Sequence, residues 1–265
     1  MMTLDILICT IDEGILRVPE VLMPPRDDVR YVVSMQYTSE GMKKRVPQVL
    51  RERGDVMLTF LEGRGLSRNR NHAFEHSTGD IRLIADDDNR YTDEGIDHIF
   101  EAYREHSETD IICFAAESYE GQPMKVYPTK TMEYWEAFKQ GYFPTSMEMT
   151  MRRSVDVKFD ERFGLGAERL CAGEEDVWMK DATDKGYRAL FVPQVVVRSR
   201  YETTGSHLVG NSRLQMSKGA TFRHLFGVPE ALWRTLKEAV WWMVHRGANP
   251  FPILWNMLKG MRSLG

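Results

Sequence analysis

The apolar positions in the first ninety residues follow two alternating rhythms. Runs rich in apolar residues at 4–10, 31–36, 55–61 and 81–85 have the length and composition of strands, the last of them reading as buried on both faces. Between them, apolar residues recur at helical spacing. The first such stretch is Ile15, Leu16, Val18, Val21 and Leu22, ended by Pro24-Pro25. Two more cover residues 46–51 and about 67–76, and a fourth follows at 92–103. Short connections between four strand and helix pairs predict right-handed βαβ units and a mostly parallel sheet flanked by helices. Every strand-to-helix connection of such a sheet leaves at one edge, where ligands bind. Residues 10–13, 36–38, 62–68 and 86–89 are therefore expected to be neighbours in space.

Further along, residues 110–116 read as a fifth strand. Residues 117–147 read as irregular and aromatic-rich, with Tyr134, Trp135 and Phe138 at a helical spacing that suits core better than a sugar platform. Residues 147–152 alternate like a half-buried strand. A helix is expected over 174–185, closed by Gly186, then two short strands at 187–192 and 194–197 around Pro193. From about residue 217, tryptophan, phenylalanine and leucine are mixed with Arg, Lys and His. A helix at 231–245 and a second after Asn249-Pro250 follow. These two helices either pack on the main domain, pack on a second subunit as a homo-oligomer, or form an interfacial anchor on a membrane through residues 218–265.

Bulk properties narrow the class. A chain of 265 residues suffices for one large α/β domain with an appendage. A net charge of -4 argues against a nucleic-acid partner. Cys9, Cys113 and Cys171 are odd in number, far apart and without a CxxC pair, so neither zinc nor a disulfide framework is indicated; a cytoplasmic setting fits. The start of the chain has no signal-peptide pattern, and no apolar stretch reaches 18 residues.

Candidate chemistry lies in three stretches. The strand at 81–85 stops at Asp86-Asp87-Asp88. Three adjacent carboxylates at a strand end repel one another and lose hydration when walled in; a divalent cation relieves both, and hard oxygen ligands suit Mg²⁺ or Mn²⁺. The second stretch is Gly63-Arg64-Gly65-Leu66-Ser67-Arg68-Asn69-Arg70-Asn71. Its arginines oppose the dipole of the helix they precede, which an anion held there would explain; pairing with carboxylates such as Glu62 and Glu75 is the structural alternative. Ser67 is positioned to cap that helix. The third is Gly173-Glu174-Glu175-Asp176, where three acids in a first helical turn exceed what a cap requires and a carboxylate could accept a proton from a hydroxyl.

Taken together, these stretches resemble the glycosyltransferase family 2 enzymes of GT-A fold, over roughly residues 4–200. The segment Ile8-Cys9-Thr10-Ile11-Asp12-Glu13 is similar to the family's opening nucleotide-contacting segment, with Cys9 and Asp12 where Pro and Asn are usual. The stretch from Gly65 to Asn71 resembles its Gly-x-(Ser/Ala)-x-Arg-Asn pattern, with Arg68 and Asn69 as the core. Asp86-Asp87-Asp88 resembles the DxD motif. Residues 159–166 with Gly173-Glu174-Glu175-Asp176 resemble the acceptor loop and the ED motif of the catalytic base. Met35-Gln36-Tyr37-Thr38 departs from the usual Asp-Asp-Gly-Ser.

The resemblance implies an inverting, metal-dependent transferase. A GT-A catalytic domain would occupy residues 1–210, with a nucleotide-sugar half at 1–116 and an acceptor half at 117–210, and a helical extension would occupy 211–265. It implies Asp176 as base with Glu175 beside it, and nucleotide-sugar contacts from Thr10, Asp12, Gln36, Arg68, Asp86 and Asp87. Asp88, Asp86 and His207 would hold Mn²⁺ or Mg²⁺. The partners implied are a UDP-sugar donor and a glycan or lipid-linked acceptor. Two other readings remain: a sugar-1-phosphate nucleotidyltransferase, whose glycine-rich basic signature is missing after the first strand, and a non-catalytic nucleotide-sugar or glycan-binding module.

Overall fold

A computed structural model describes residues 1–200 and 208–264. Eight strands form one sheet in the order β3-β2-β1-β4-β7-β5-β8-β6. The first four are β1 (Leu4–Ile11), β2 (Val29–Tyr37), β3 (Val56–Glu62) and β4 (Ile81–Asp86), all parallel, as their apolar runs predict. β1 is buried along its length except Ile11, and its partners on either side are β2 and β4. The four C-terminal ends therefore share one edge of the sheet.

Helices α1 (Gln48–Glu52), α2 (Leu66–His76) and α3 (Asp93–Glu105) form the crossovers. α3 shows why: the Gly95 N–H donates to Thr92 Oγ1 as an N-cap, and Ile96, Ile99, Phe100 and Tyr103 bury one face. Residues 15–22 differ from expectation. They form two 3-10 turns, Asp12–Leu16 and Val18–Glu20, because Pro19 follows too soon for an α-helix to propagate.

The far half of the sheet is mixed. β5 (Ile111–Ser118) and β8 (Ala189–Ser199) are parallel, while β7 (Met149–Arg152) runs antiparallel between β4 and β5. β6 (Met132–Glu133) pairs antiparallel with β8 at the edge. The two short strands expected around Pro193 are one strand: the register against β5 shifts where Pro193 sits, so the missing N–H falls in a bulge. Residues 117–147 are ordered around Glu148, which is fully buried and accepts from Tyr127 Oη at 2.6 Å and Lys125 Nζ at 3.0 Å. Within them α4 (Tyr134–Lys139) buries Tyr134 and Phe138 in the core, as their spacing predicts.

Two compact units emerge. One comprises Met1–Arg64, Arg68–Lys158 and Ala182–Tyr201, with a core of strand residues and the inner faces of the crossovers. The other comprises Gly65–Ser67, Phe159–Asp181 and Glu202–Gly265. It gathers the glycine-rich loop, the start of α5 (Glu174–Asp184) and the helices α6 (Ser212–Arg246) and α7 (Pro250–Arg262). α6 starts well before the expected residue 231, capped by Asn211, whose side chain accepts from Leu214 N at 3.1 Å. It breaks at Gly227, which takes φ +73, and Pro229 follows. Within this unit α7 lies against α6 at backbone contact. A Cβ on Gly219 would sit 2.0 Å from Met257 O, and one on Gly260 would sit 1.8 Å from Met216 O. Among the described residues, no helix is long and apolar enough to cross a membrane.

Candidate functional site

The parallel edge brings the predicted strand ends together. Thr10, buried at the end of β1, donates from Oγ1 to Asp87 Oδ2 at 2.6 Å. Arg17 completes the clamp on the other oxygen, with Nη2 2.6 Å from Asp87 Oδ1. Such a pair is charge-assisted, but Arg17 is half exposed, so solvent screens it. Gly14 makes the approach possible: a Cβ there would lie 2.2 Å from Asp87 Oδ2 and 2.3 Å from Thr10 Oγ1.

Asp12 takes φ +48, a left-handed conformation that aspartate tolerates better than most residues. Its carboxylate accepts from Thr38 N at 2.8 Å and Thr38 Oγ1 at 2.9 Å, tying the end of β1 to the turn after β2. On β2, Gln36 pairs in register with Ile11 and is buried, and its Nε2 has no hydrogen-bond partner among the described residues. A buried donor without a partner costs free energy unless a ligand or water supplies an acceptor.

The acidic triplet divides into two kinds of carboxylate. Asp87 is the one with both oxygens engaged by Thr10 and Arg17. The Asp86 side chain is 42% exposed; its Oδ1 is 3.9 Å from Arg70 Nη2 and its Oδ2 is 3.5 Å from Ser146 Oγ. Asp88 Oδ2 stands 3.9 Å from Arg200 Nε. These guanidiniums neutralise charge at ion-pair range and lie beyond ordinary hydrogen-bond length. Asn89 shapes the tip. Fully buried, it accepts from Asp86 N at 2.8 Å and donates to Ser199 Oγ at 3.2 Å, anchoring the loop to the end of β8.

Asp86 and Asp88 fit a hard divalent ion. They are oxygen donors whose side chains are partly exposed, and such ions complete their shells with water or phosphate oxygens. Among the described residues no group of three His, Cys, Asp or Glu side chains is arranged to hold a metal. The described residues would thus supply two ligands there, Asp86 and Asp88. His207, expected as a third, lies outside the described residues.

Sequence reasoning about α2 needs amendment. Ser67 does not cap the helix; it lies inside it, is buried, and donates from Oγ to Phe163 O at 2.7 Å. Arg68 is exposed on the rim, its Nη1 donating to Glu62 O at 3.0 Å rather than to a carboxylate. Glu75 pairs instead with Lys158 at 2.9 Å. The arginine of α2 that comes within ion-pair range of the acidic triplet is Arg70, only 2% exposed and two residues further along the helix than Arg68. Asn69, likewise buried, braces the site from below: its Nδ2 donates to Thr10 O and to Ser34 O, both at 3.1 Å, and its Oδ1 accepts from Ser34 Oγ at 2.6 Å. Arg17 and Asn89 had no functional role in the sequence reading, and Arg70 entered it only among the arginines that a held anion would explain. The signal for Arg70 was its buried register on α2, one turn ahead of the buried Phe74. Arg17 and Asn89 carried no such signal.

Cys9, in register with Asp86, is no nucleophile. Burial pushes its thiol up to about 12, outweighing the lowering effect of nearby Arg70.

The other unit holds the second acidic stretch. Gly173 takes φ +93 and its carbonyl accepts from Val177 N at 3.1 Å, so Glu174, Glu175 and Asp176 occupy the first turn of α5, where the helix dipole favours negative charge. Glu174 is buried, while Glu175 and Asp176 are partly exposed. The turn is held by Trp178, fully buried and stacked on Phe159 at 5.6 Å between ring centroids. Gly164, at φ +100, passes so close that a Cβ would meet Glu174 Cδ at 3.2 Å. The glycines of residues 159–173 thus let that loop lie against the head of α5.

Comparison with known proteins adds the following. The Glycosyl transferase family 2 model matches residues 34–160. Among proteins of curated function, none matches the sequence. The fold is similar to the crystal structure of S. aureus TarS 1-349, with a TM-score of 0.59 and 14% identity over 99% of this chain and 72% of that one. It is also similar to TarS 1-349 in complex with UDP-GlcNAc, with a TM-score of 0.58 and 14% identity over 94% and 74% of the two chains. Against the longer TarS structure the TM-score is again 0.59 at 14% identity, covering 93% of this chain, which spans 44% of that one's length. The likeness establishes the GT-A fold, a mostly parallel sheet flanked by helices with helices at its C-terminal end.

Proposed function

We propose that this chain, whose residues 34–160 match the Glycosyl transferase family 2 model, transfers a sugar from a nucleotide-diphosphate donor, with inversion, to a hydroxyl of a glycan or lipid-linked acceptor. The observation that carries the donor reading is the parallel edge. There Thr10, Asp87 and the buried Gln36 Nε2, which has no hydrogen-bond partner among the described residues, converge with two further carboxylates, Asp86 and Asp88, whose side chains are partly exposed. A UDP-sugar is the donor of choice, because UDP-GlcNAc occupies the similar TarS structure.

In this reading Gln36 offers its buried amide donor to the base, and Asp87, oriented by Thr10 and Arg17, accepts from ribose hydroxyls. Asp12 acts through Thr38, holding the turn after β2 in place. Arg68 on the rim contacts the diphosphate, and buried Arg70 fixes Asp86. Mg²⁺ or Mn²⁺ on Asp88 and Asp86, with His207 as a further ligand, would neutralise charge on the departing diphosphate. Asp176 takes the proton from the acceptor hydroxyl, with Glu175 orienting that hydroxyl. The acceptor oxygen bonds to the anomeric carbon from the face opposite the leaving group. The bond to the phosphate oxygen breaks, and its electron pair leaves with the nucleoside diphosphate.

Two measurements test this. Calorimetric titration with UDP and Mn²⁺ should give binding that weakens at least about tenfold in Asp88→Ala, since one of the two carboxylate ligands is gone; an unchanged isotherm rejects the metal assignment. Asp176→Asn should leave nucleotide affinity intact while turnover falls by about 10²–10⁴. Wild-type rates in that variant reject the base, and absence of nucleotide release in the wild type with any acceptor would reduce the protein to a binding module.

A further inference from the structure

The helical unit has an apolar surface that its own packing does not use. Beyond Gly227, α6 buries Ala231, Thr235 and Ala239, spaced four apart, which is the face it needs for internal contact. One residue further round, Leu232, Leu236 and Val240 form a second stripe, extended by Trp233 and Val244, and all five are exposed. Trp233 is 60% exposed and Val244 66%. On α7 the pattern repeats: Ile253 and Met257 are buried, while Phe251 and Trp255 are 76% and 55% exposed. Gly219 and Gly260 hold α7 against the part of α6 that precedes Gly227, backbone against backbone, and beyond the break Ala239 packs with Ile253 and Met257, so the inward faces of both helices are already occupied.

Charge indicates what covers it. Residues 211–265 hold eight Lys and Arg against two acids, although the whole chain has a net charge of -4. Both acids are neutralised within the unit, Glu230 by Arg234 at 3.0 Å and Glu238 by Lys218 at 2.5 Å. Lys237, Arg246, Lys259 and Arg262 are all exposed. Lys259 Nζ lies 5.2 Å from the Trp255 ring, so on α7 a cation and an exposed indole stand side by side. A second copy would present the same positive excess, so self-pairing of this segment is opposed by like charge. An anionic surface with an apolar interior satisfies both features: aliphatic side chains enter the acyl boundary, indoles sit at headgroup level, and the cations reach lipid phosphates.

We propose that the outer face of α6 beyond Gly227 and of α7 seats on the surface of a bilayer containing anionic lipid. The proposal is independent of the donor chemistry, since none of its residues belongs to the nucleotide or catalytic sets.

Flotation of the full chain with phosphatidylcholine vesicles, with and without about a third phosphatidylglycerol, tests it directly. Partitioning should be at least about tenfold stronger on the anionic vesicles, weaken at about 0.5 M salt and shift tryptophan emission to the blue. Trp233→Ser combined with Trp255→Ser should lose about tenfold in partitioning, with thermal unfolding and UDP titration unchanged. Lys237→Glu with Lys259→Glu, both at exposed sites, should abolish the preference for anionic vesicles and provides a second arm should the tryptophan variant unfold. No flotation of the wild type, or equal flotation on both vesicles, overturns the proposal. So does a dimer in sedimentation equilibrium that the tryptophan variant dissolves without any vesicle binding, which would assign the face to a second copy.

Discussion

The edge of the parallel sheet and the C-terminal helices treat polarity in opposite ways. At the sheet edge, polar groups are taken inside: Thr10, Gln36, Asn69, Arg70 and Asn89 are all buried, with Thr10, Asn69 and Asn89 hydrogen-bonded to atoms from other elements and Arg70 at ion-pair range of Asp86. In the helices, apolar groups are left outside, with Trp233, Val244 and Phe251 more than half exposed. Burying a polar side chain is tolerable only when each donor and acceptor is met, so the edge is a network of specific distances. Exposing an apolar one needs only a partner surface, so the helices carry a pattern with few internal constraints on that side. The first arrangement suits recognition of one small polar ligand, the second adhesion to a broad surface.

Close backbone approach is where both regions are most fragile, and the largest effect is expected there. Gly260→Ala places a Cβ 1.8 Å from a backbone carbonyl that cannot rotate away. It should cost about 3 kcal/mol and lower the thermal midpoint, while UDP titration of the folded fraction stays unchanged. Loss of nucleotide affinity in that variant would break the contrast between the regions. At the edge, Arg70→Gln should weaken metal-dependent UDP binding about tenfold, because the buried neutraliser of Asp86 is removed, whereas Arg68→Gln, at an exposed position, should cost about threefold. Equal effects in a calorimetric titration would return the primary role to Arg68. The smallest effect is expected from Gly14→Ala. Its Cβ meets the side-chain oxygens of Asp87 and Thr10, which can shift, so about 1 kcal/mol of stability and a fewfold loss of UDP affinity should follow. Affinity unchanged in that variant would mean that the Thr10–Asp87 contact does not shape the donor site.

The order of strands and crossovers in the first ninety residues was legible from the chain alone. A strand buried on both faces requires an unbroken apolar run, and a crossover helix requires its 3.6 spacing, so both leave local marks. The acidic triplet at a strand end, Thr10 and Gln36 at neighbouring ends, and the acids opening α5 followed from the same logic. So did the aromatic, basic character of residues beyond 217.

The tertiary structure decided everything that depends on partners far apart in sequence. Only folding pairs Asp87 with Thr10 and Arg17, seventy and more residues away, and sets Asp86 near Arg70 and Asp88 near Arg200. Arg70 reaches Asp86 because of the register at which α2 packs, a distinction that two arginines on one helix do not display in sequence. β7 enters between β4 and β5 in the antiparallel sense, and β8 passes through Pro193 in a bulge, because neighbouring strands dictate both. Local periodicity records which face of an element is buried, and only the folded chain records against what.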